Sequence, residues 1–221
     1  MEKDEMRIGV ISDTHGVKKA MDRVILDAGK VDLWLHAGDY SQDAPYLEAK
    51  TGVPVYAVCG NCDVYEDRGP VELVTKLEGT TLAMVHGNRY VSRSRWDNLI
   101  YWGQEKNAQV VVFGHIHTPV NEVIDGILVI NPGSAAKPRG DVPTYGILTL
   151  EKGRVPFFEV RELAQITTEP ERTLGPFAVK GPRPLGKGGI PYGRYGKNQC
   201  RSPGASQEIP WKAGSALQGA P

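Results

Sequence analysis

Disulfide bonding has little to work with in this chain, because Cys59, Cys62 and Cys200 are its only three cysteines, too few and odd in number for a cross-linked framework. A reducing, cytoplasmic location is therefore expected. Net charge is also missing: 26 Lys and Arg balance 26 Asp and Glu, which by itself points to no partner. The balance hides an asymmetry, since residues 1–168 hold 18 basic against 23 acidic groups and residues 169–221 hold 8 against 3. No apolar run approaches the roughly 18 residues that a membrane-spanning helix needs. The charged opening Met1-Glu2-Lys3-Asp4-Glu5 precedes only a short apolar run, unlike the long apolar core of a secretory leader. Neither secretion nor a membrane is expected.

What the chain does have is a recurring unit, a short apolar run that ends in a loop bearing Asp, Asn or His. Residues 7–12 read as a strand and lead into Asp13-Thr14-His15-Gly16. Over 17–30, Val17, Ala20, Met21, Val24, Ile25 and Ala28 recur at helical spacing, with Gly29 as a stop. A second strand over 31–36 ends in Ala37-Gly38-Asp39, and 41–52 is a polar loop or short helix. A third strand over 53–58 ends in Cys59-Gly60-Asn61-Cys62-Asp63. Runs at 71–75 and 80–85, joined around Glu78-Gly79, predict a hairpin whose second strand ends in His86-Gly87. A helix predicted over 92–107, with Trp96, Leu99 and Ile100 on one side, leads to Val110-Val111-Val112-Phe113, which reads as an interior strand. Gly114 then lets other groups approach the backbone closely, and His115 and His117 follow at once. The rest reads as β-structure: 120–124, a turn at Asp125-Gly126, 127–130, a loop at 131–134, then 145–150 and 155–160.

Alternation of strand and helix followed by hairpins predicts an α/β fold, a layered sandwich of two mixed β-sheets flanked by helices, over residues 1–168. Residues 169–221 contain 10 Gly and 8 Pro and are expected to form a basic, disordered tail. Its Tyr192, Tyr195 and Trp211 would suit stacking on nucleic acid, although a solvated tail explains the composition equally well.

The loops share a chemistry. Asp13, His15, Asp39, Asn61, His86, His115 and His117 each lie just past an apolar strand, and strand ends in open α/β sheets converge on one crevice. Two carboxylates, four imidazoles and one amide exceed what one tetrahedral ion needs, but suit two divalent ions sharing a bridging carboxylate. Gathering such groups without metal would cost several kcal/mol of desolvation. Four imidazoles favour a transition metal over Mg or Ca, with Mn expected first and Ni, Fe or Zn as alternatives.

These motifs, Asp13-Thr14-His15, Gly38-Asp39, Gly60-Asn61-Cys62-Asp63, His86-Gly87 and Gly114-His115-Ile116-His117, resemble those of the calcineurin-like metallophosphoesterases. The likeness is to the small single-domain phosphodiesterases that read G-N-C-D, and it covers roughly residues 6 to 160. It implies one ion held by Asp13, His15, Asp39 and His117 and a second held by Asp39, Asn61, His86 and His115, with Asp39 bridging. It further implies hydrolysis of a small phosphodiester by a metal-bridging hydroxide, with Asp39, Asn61 and Cys62 in the catalytic group. Many relatives carry His directly after the motif asparagine, as acid for the leaving group; here Cys62 stands there, a poorer acid near neutrality. His36, Asp63 and Arg139 are expected beside the ligands, orienting them or touching substrate. Cys59 and Cys62 form a C-x-x-C, but no second pair supports zinc or redox chemistry. The same fold also serves as a protein-binding scaffold in a retromer subunit that has lost part of this ligand set, so an interaction role is the alternative; all seven positions are occupied here.

Overall fold

A computed structural model describes residues 5–64, 69–91 and 96–163. The basic tail, with Tyr192, Tyr195 and Trp211, lies outside them. Among the described residues, ten strands form two five-stranded mixed sheets. In the first, β1 (Glu5–Ile11), β2 (Leu33–His36) and β3 (Val55–Ala57) run parallel, while β9 (Thr144–Glu151) and β10 (Phe157–Glu162) extend the other edge antiparallel. In the second, β5 (Thr80–Val85), β6 (Val110–Val112) and β8 (Ile127–Pro132) run parallel, and β4 (Glu72–Leu77) and β7 (Pro119–Ile124) close the edges antiparallel. Both hairpins of this second sheet turn through a pair with positive φ, Glu78-Gly79 at 47° and 83° and Asp125-Gly126 at 50° and 80°, the backbone that two-residue hairpin turns require.

Apolar side chains divide into three clusters, and the clusters define the layers. Ile8, Val10, Leu33 and Leu35 of the first sheet meet Leu82, Met84, Val110 and Val112 of the second, so the sheets pack face to face. On the outer face of the first sheet, Met21 and Val24 of α1 (Lys18–Ala28) and Leu47 of α2 (Asp43–Thr51) cover Trp34 and Ile147. On the outer face of the second, Leu99 and Trp102 of α3 (Asp97–Glu105) cover Val111 and Val129. A central strand buries both faces, which is why β2 and β6 are buried along their whole length rather than at alternate residues.

The architecture is the expected layered α/β sandwich, with local differences. Residues 41–52 resolve to a helix, anchored by the apolar Leu47. Asn131 and Pro132, read as loop, end β8 because they pair with Val120 and Pro119. The third strand keeps only Val55–Ala57, and helix α3 begins at Asp97, with 92–95 outside the described residues. Among the described residues no helix is long and apolar enough to cross a membrane.

Candidate metal centre

The parallel ladders do more than hold the sheets, because they continue past the strands and bring the loops side by side. Ala37 N–H donates to Ile11 O at 2.9 Å and Asp13 N–H to Gly38 O at 3.0 Å, so Asp13 and Asp39 leave neighbouring strands at the same end. Gly114 N–H donates to His86 O at 3.0 Å, aligning the loops after β5 and β6. The two sheets meet when His115 N–H donates to Asp13 Oδ2 at 3.0 Å across 102 residues of sequence.

One donor group is compact. Asp13, His15, Asp39 and His117 each place a ligand atom within 4.8 Å of the others. His117 Nε2 lies 3.1 Å from Asp13 Oδ1 and 3.4 Å from His15 Nε2. A second group surrounds the other side of Asp39: its Oδ1 is 3.3 Å from His86 Nε2, and the rings of His86 and His115 lie 5.2 Å apart. The loop bearing Asn61 joins this group through Cys62 N–H, which donates to Asp39 Oδ1 at 2.8 Å. Asn61 itself is exposed, its amide nitrogen 3.5 Å from Cys62 Sγ.

Whether this arrangement suits a cation can be judged from its own atoms. Asp13 Oδ1 and His86 Nε2 are buried with no hydrogen-bond partner, although both point into the cluster. Such orphans are costly unless something else satisfies them. The tautomers agree: His86 Nδ1–H donates to Ala37 O at 2.8 Å and His117 Nδ1–H to Lys137 O at 2.5 Å, which turns each Nε2 toward the cluster. Protonation shows the same demand for positive charge. Burial disfavours the His86 cation, yet Asp39 and Asp13 outweigh it and raise its pKa. The Asp13 contact raises His117. Burial likewise opposes ionisation of Asp39, but His86 and the Cys62 amide hold its carboxyl well below the usual carboxylate range. His15 and His115 are lowered by burial first, then by Lys137 and by His86 respectively. The cluster fits a divalent metal ion.

The sequence comparison follows the same residues. The pattern describing the calcineurin-like phosphoesterase superfamily domain matches residues 6–153. The chain belongs to this superfamily. It is 35% identical over 150 residues to a probable metallophosphoesterase of Methanothermobacter thermautotrophicus, covering 66% of this chain and 87% of that one. It is 33% identical over 168 residues to phosphodiesterase YfcE of Escherichia coli, covering 65% and 87%. Among solved structures, Vps29 of Entamoeba histolytica in complex with Zn2+ superposes with a TM-score of 0.58 at 18% identity, covering 72% of this chain and all of that one, a likeness of fold alone. Membership makes the chain a phosphoesterase-type hydrolase fold with a metal-binding cluster at its strand ends.

Several residues of this phosphoesterase carry roles that sequence patterns do not reveal. Six of its nine left-handed non-glycine residues among those described are Asp13, His15, Asp39, Tyr40, His115 and His117, with φ of 53°, 48°, 56°, 71°, 69° and 57°. Such backbone costs on the order of 1–3 kcal/mol per residue and persists where surrounding contacts impose it. Asn131 and Ser134 supply part of that constraint: Asn131 Nδ2 donates to Gly114 O at 2.7 Å and Ser134 Oγ to Asp13 O at 2.9 Å, both side chains fully buried. By sequence alone, residues 131–134 read only as a loop. Asp63 is buried and accepts from Ser41 N, Ser41 Oγ and Gly60 N at 2.7, 3.0 and 2.7 Å, tying the Asn61 loop to the Asp39 loop. His36 Nε2 meets Thr14 Oγ1 at 3.0 Å, between Asp13 and His15 in the chain. Arg139 is exposed, and its main-chain N–H donates to His117 O at 3.0 Å. Neither Cys59 nor Cys62 is in a disulfide, and burial followed by the Asp39 carboxylate pushes the Cys62 thiol up to about 12.

Proposed function

We propose that this protein is a metal-dependent phosphodiesterase of the small single-domain subgroup, acting on a small phosphodiester at the cluster around Asp13 and Asp39. The observation that carries the reading is the pair of buried atoms without a hydrogen-bond partner, Asp13 Oδ1 and His86 Nε2, which lie 4.0 Å apart with Asp39 Oδ1 3.3 Å from His86 Nε2. Asp13, His15, Asp39 and His117 would hold one ion, and Asp39, Asn61, His86 and His115 the second, with Mn expected and Ni, Fe or Zn as alternatives. Two such ions would neutralise charge on the phosphate oxygens and would activate water as the nucleophile.

The chain's own work is then positioning. Asp39 faces both donor groups, and Cys62 N–H fixes the oxygen that faces His86. Cys62 is not needed as a proton donor when the leaving group is a weak base. Residues 1–168 would be the whole catalytic unit, with 169–221 an accessory.

The test uses full-length protein reconstituted with Mn2+ and an aryl phosphodiester. Elemental analysis is expected to find close to two ions per chain. Asp39→Asn is expected to lower kcat/KM by at least about 10³-fold, roughly 4 kcal/mol of barrier, with metal lost from both groups. Cys62→Ala is expected to stay within about tenfold of the parent. Near-full activity in Asp39→Asn refutes the shared-carboxylate site, and an inactive Cys62→Ala with both ions retained makes Cys62 the missing acid. Two ions without hydrolysis of any diester would favour the scaffold role.

A further inference from the structure

Asp43 lies outside the expected ligand set, yet it is buried against the loop that carries Asp13 and His15. It is the first residue of α2, and its recorded hydrogen bonds run away from that helix. Asp43 Oδ2 accepts from Thr14 Oγ1 at 2.6 Å and from Gly16 N–H at 3.0 Å, so one carboxylate oxygen grips the residues on both sides of His15. Thr14 is fully buried, and the direction of its hydrogen bonds can be assigned. Gly38 N–H donates to His36 Nδ1 at 3.3 Å, which leaves His36 Nε2 to donate to Thr14 Oγ1 at 3.0 Å. The threonine hydroxyl therefore spends its own hydrogen on Asp43. A one-way chain runs from the Gly38-Asp39 loop through His36 and Thr14 to Asp43.

That chain meets a specific need. Asp13 and His15 both hold left-handed backbone at φ 53° and 48°, a conformation that relaxes unless neighbouring contacts impose it. We propose that Asp43 is a positioning residue: by gripping Thr14 Oγ1 and the Gly16 amide it holds Asp13 and His15 in their strained conformations, and so sets the affinity of the ion at Asp13, His15 and His117 but not of the ion at His86 and His115. The inference rests on the two-ion reading above. Helix capping alone does not account for the geometry, because the residue before the helix makes no side-chain cap and the carboxylate is turned to the loop.

Calorimetric titration of metal-free, full-length protein with Mn2+ tests this directly. His15→Ala and His86→Ala first assign the two binding events, each removing one. Thr14→Val, which keeps the shape and removes the hydroxyl, and Asp43→Ala are both expected to weaken the event assigned by His15→Ala about 10- to 100-fold. The other event is expected to stay within about threefold, and Thr14→Ser is expected to restore the parent affinity. Equal weakening of both events, weakening of the His86 event, or no change in Thr14→Val overturns the proposal. A parent protein that binds one ion or none overturns the two-ion reading as well, and the parent titration alone reveals that case. Should Asp43→Ala fail to fold, the Thr14→Val and Thr14→Ser pair decides.

Discussion

His36 shows how one buried side chain can report on the state of the fold. Burial lowers its pKa from the ordinary value of 6.5, so the folded protein keeps it neutral, donating to Thr14. An unfolded chain takes up a proton there as pH falls through about 6.5, and uptake by the unfolded state alone favours unfolding. The stability that His36 contributes is therefore present above that pH and lost below it. His36→Gln keeps an amide donor for Thr14 and cannot titrate. In denaturant melts of the metal-free protein, the parent is expected to lose stability relative to His36→Gln between about pH 8 and pH 5. His86 and His117 titrate in both proteins and cancel in the difference. A difference that stays constant over that range would show that His36 is not held neutral. At this scale the sequence reveals which side chains are chemically competent, since Asp13, Asp39 and the histidines stand out by type. It does not reveal the roles of Thr14, Asn131, Ser134 and Asp43, because a polar residue in a loop looks the same whether it is solvated or buried against another loop.

At the scale of elements, close approach at strand ends matters as much as the strands. Gly114 follows β6 where a side chain would collide with Ser12 Oγ, Ala37 O and Asp13 Oδ2, and Gly60 where one would collide with Asp39. Gly114→Ala is thus expected to cost about 1–3 kcal/mol of stability, and to reduce bound Mn2+ below two ions per chain although it removes no ligand. Thermal melts and elemental analysis of the variant check both parts; full metal content with an unchanged Tm would show that the loops tolerate a methyl group. The strands and the stripe on α1 were legible because Met21, Val24 and Ala28 recur at helical spacing over a buried face. Helix α2 was ambiguous because it buries only Asp43 and Leu47, too little apolar surface to mark a period.

At the scale of the whole molecule, both sheets, the three helices and the three apolar clusters found among the described residues all lie at or before Leu163. Residues 169–221, a third of them Gly or Pro, offer little apolar surface with which to offset ordering entropy. A chain ending at residue 168 is expected to keep its Tm within about 4 °C, on the order of 1 kcal/mol for a domain of this size, and to hydrolyse small diesters at the parental rate. Insolubility of the shortened chain, or a larger drop in Tm, would show that the tail takes part in folding.

The sequence by itself determined the order of strands and helices, the layered class of fold and the seven candidate donors, because hydrophobic period and side-chain chemistry are written locally. Only the tertiary structure decided which donors meet. The approach of His115 to Asp13 spans 102 residues and depends on both sheets packing face to face. The left-handed backbone at Asp13, His15, Asp39, His115 and His117 runs against local preference and is consistent with loops clamped from outside their own stretch of chain. For the same reason the role of Asp43 was invisible until the loops were seen in contact.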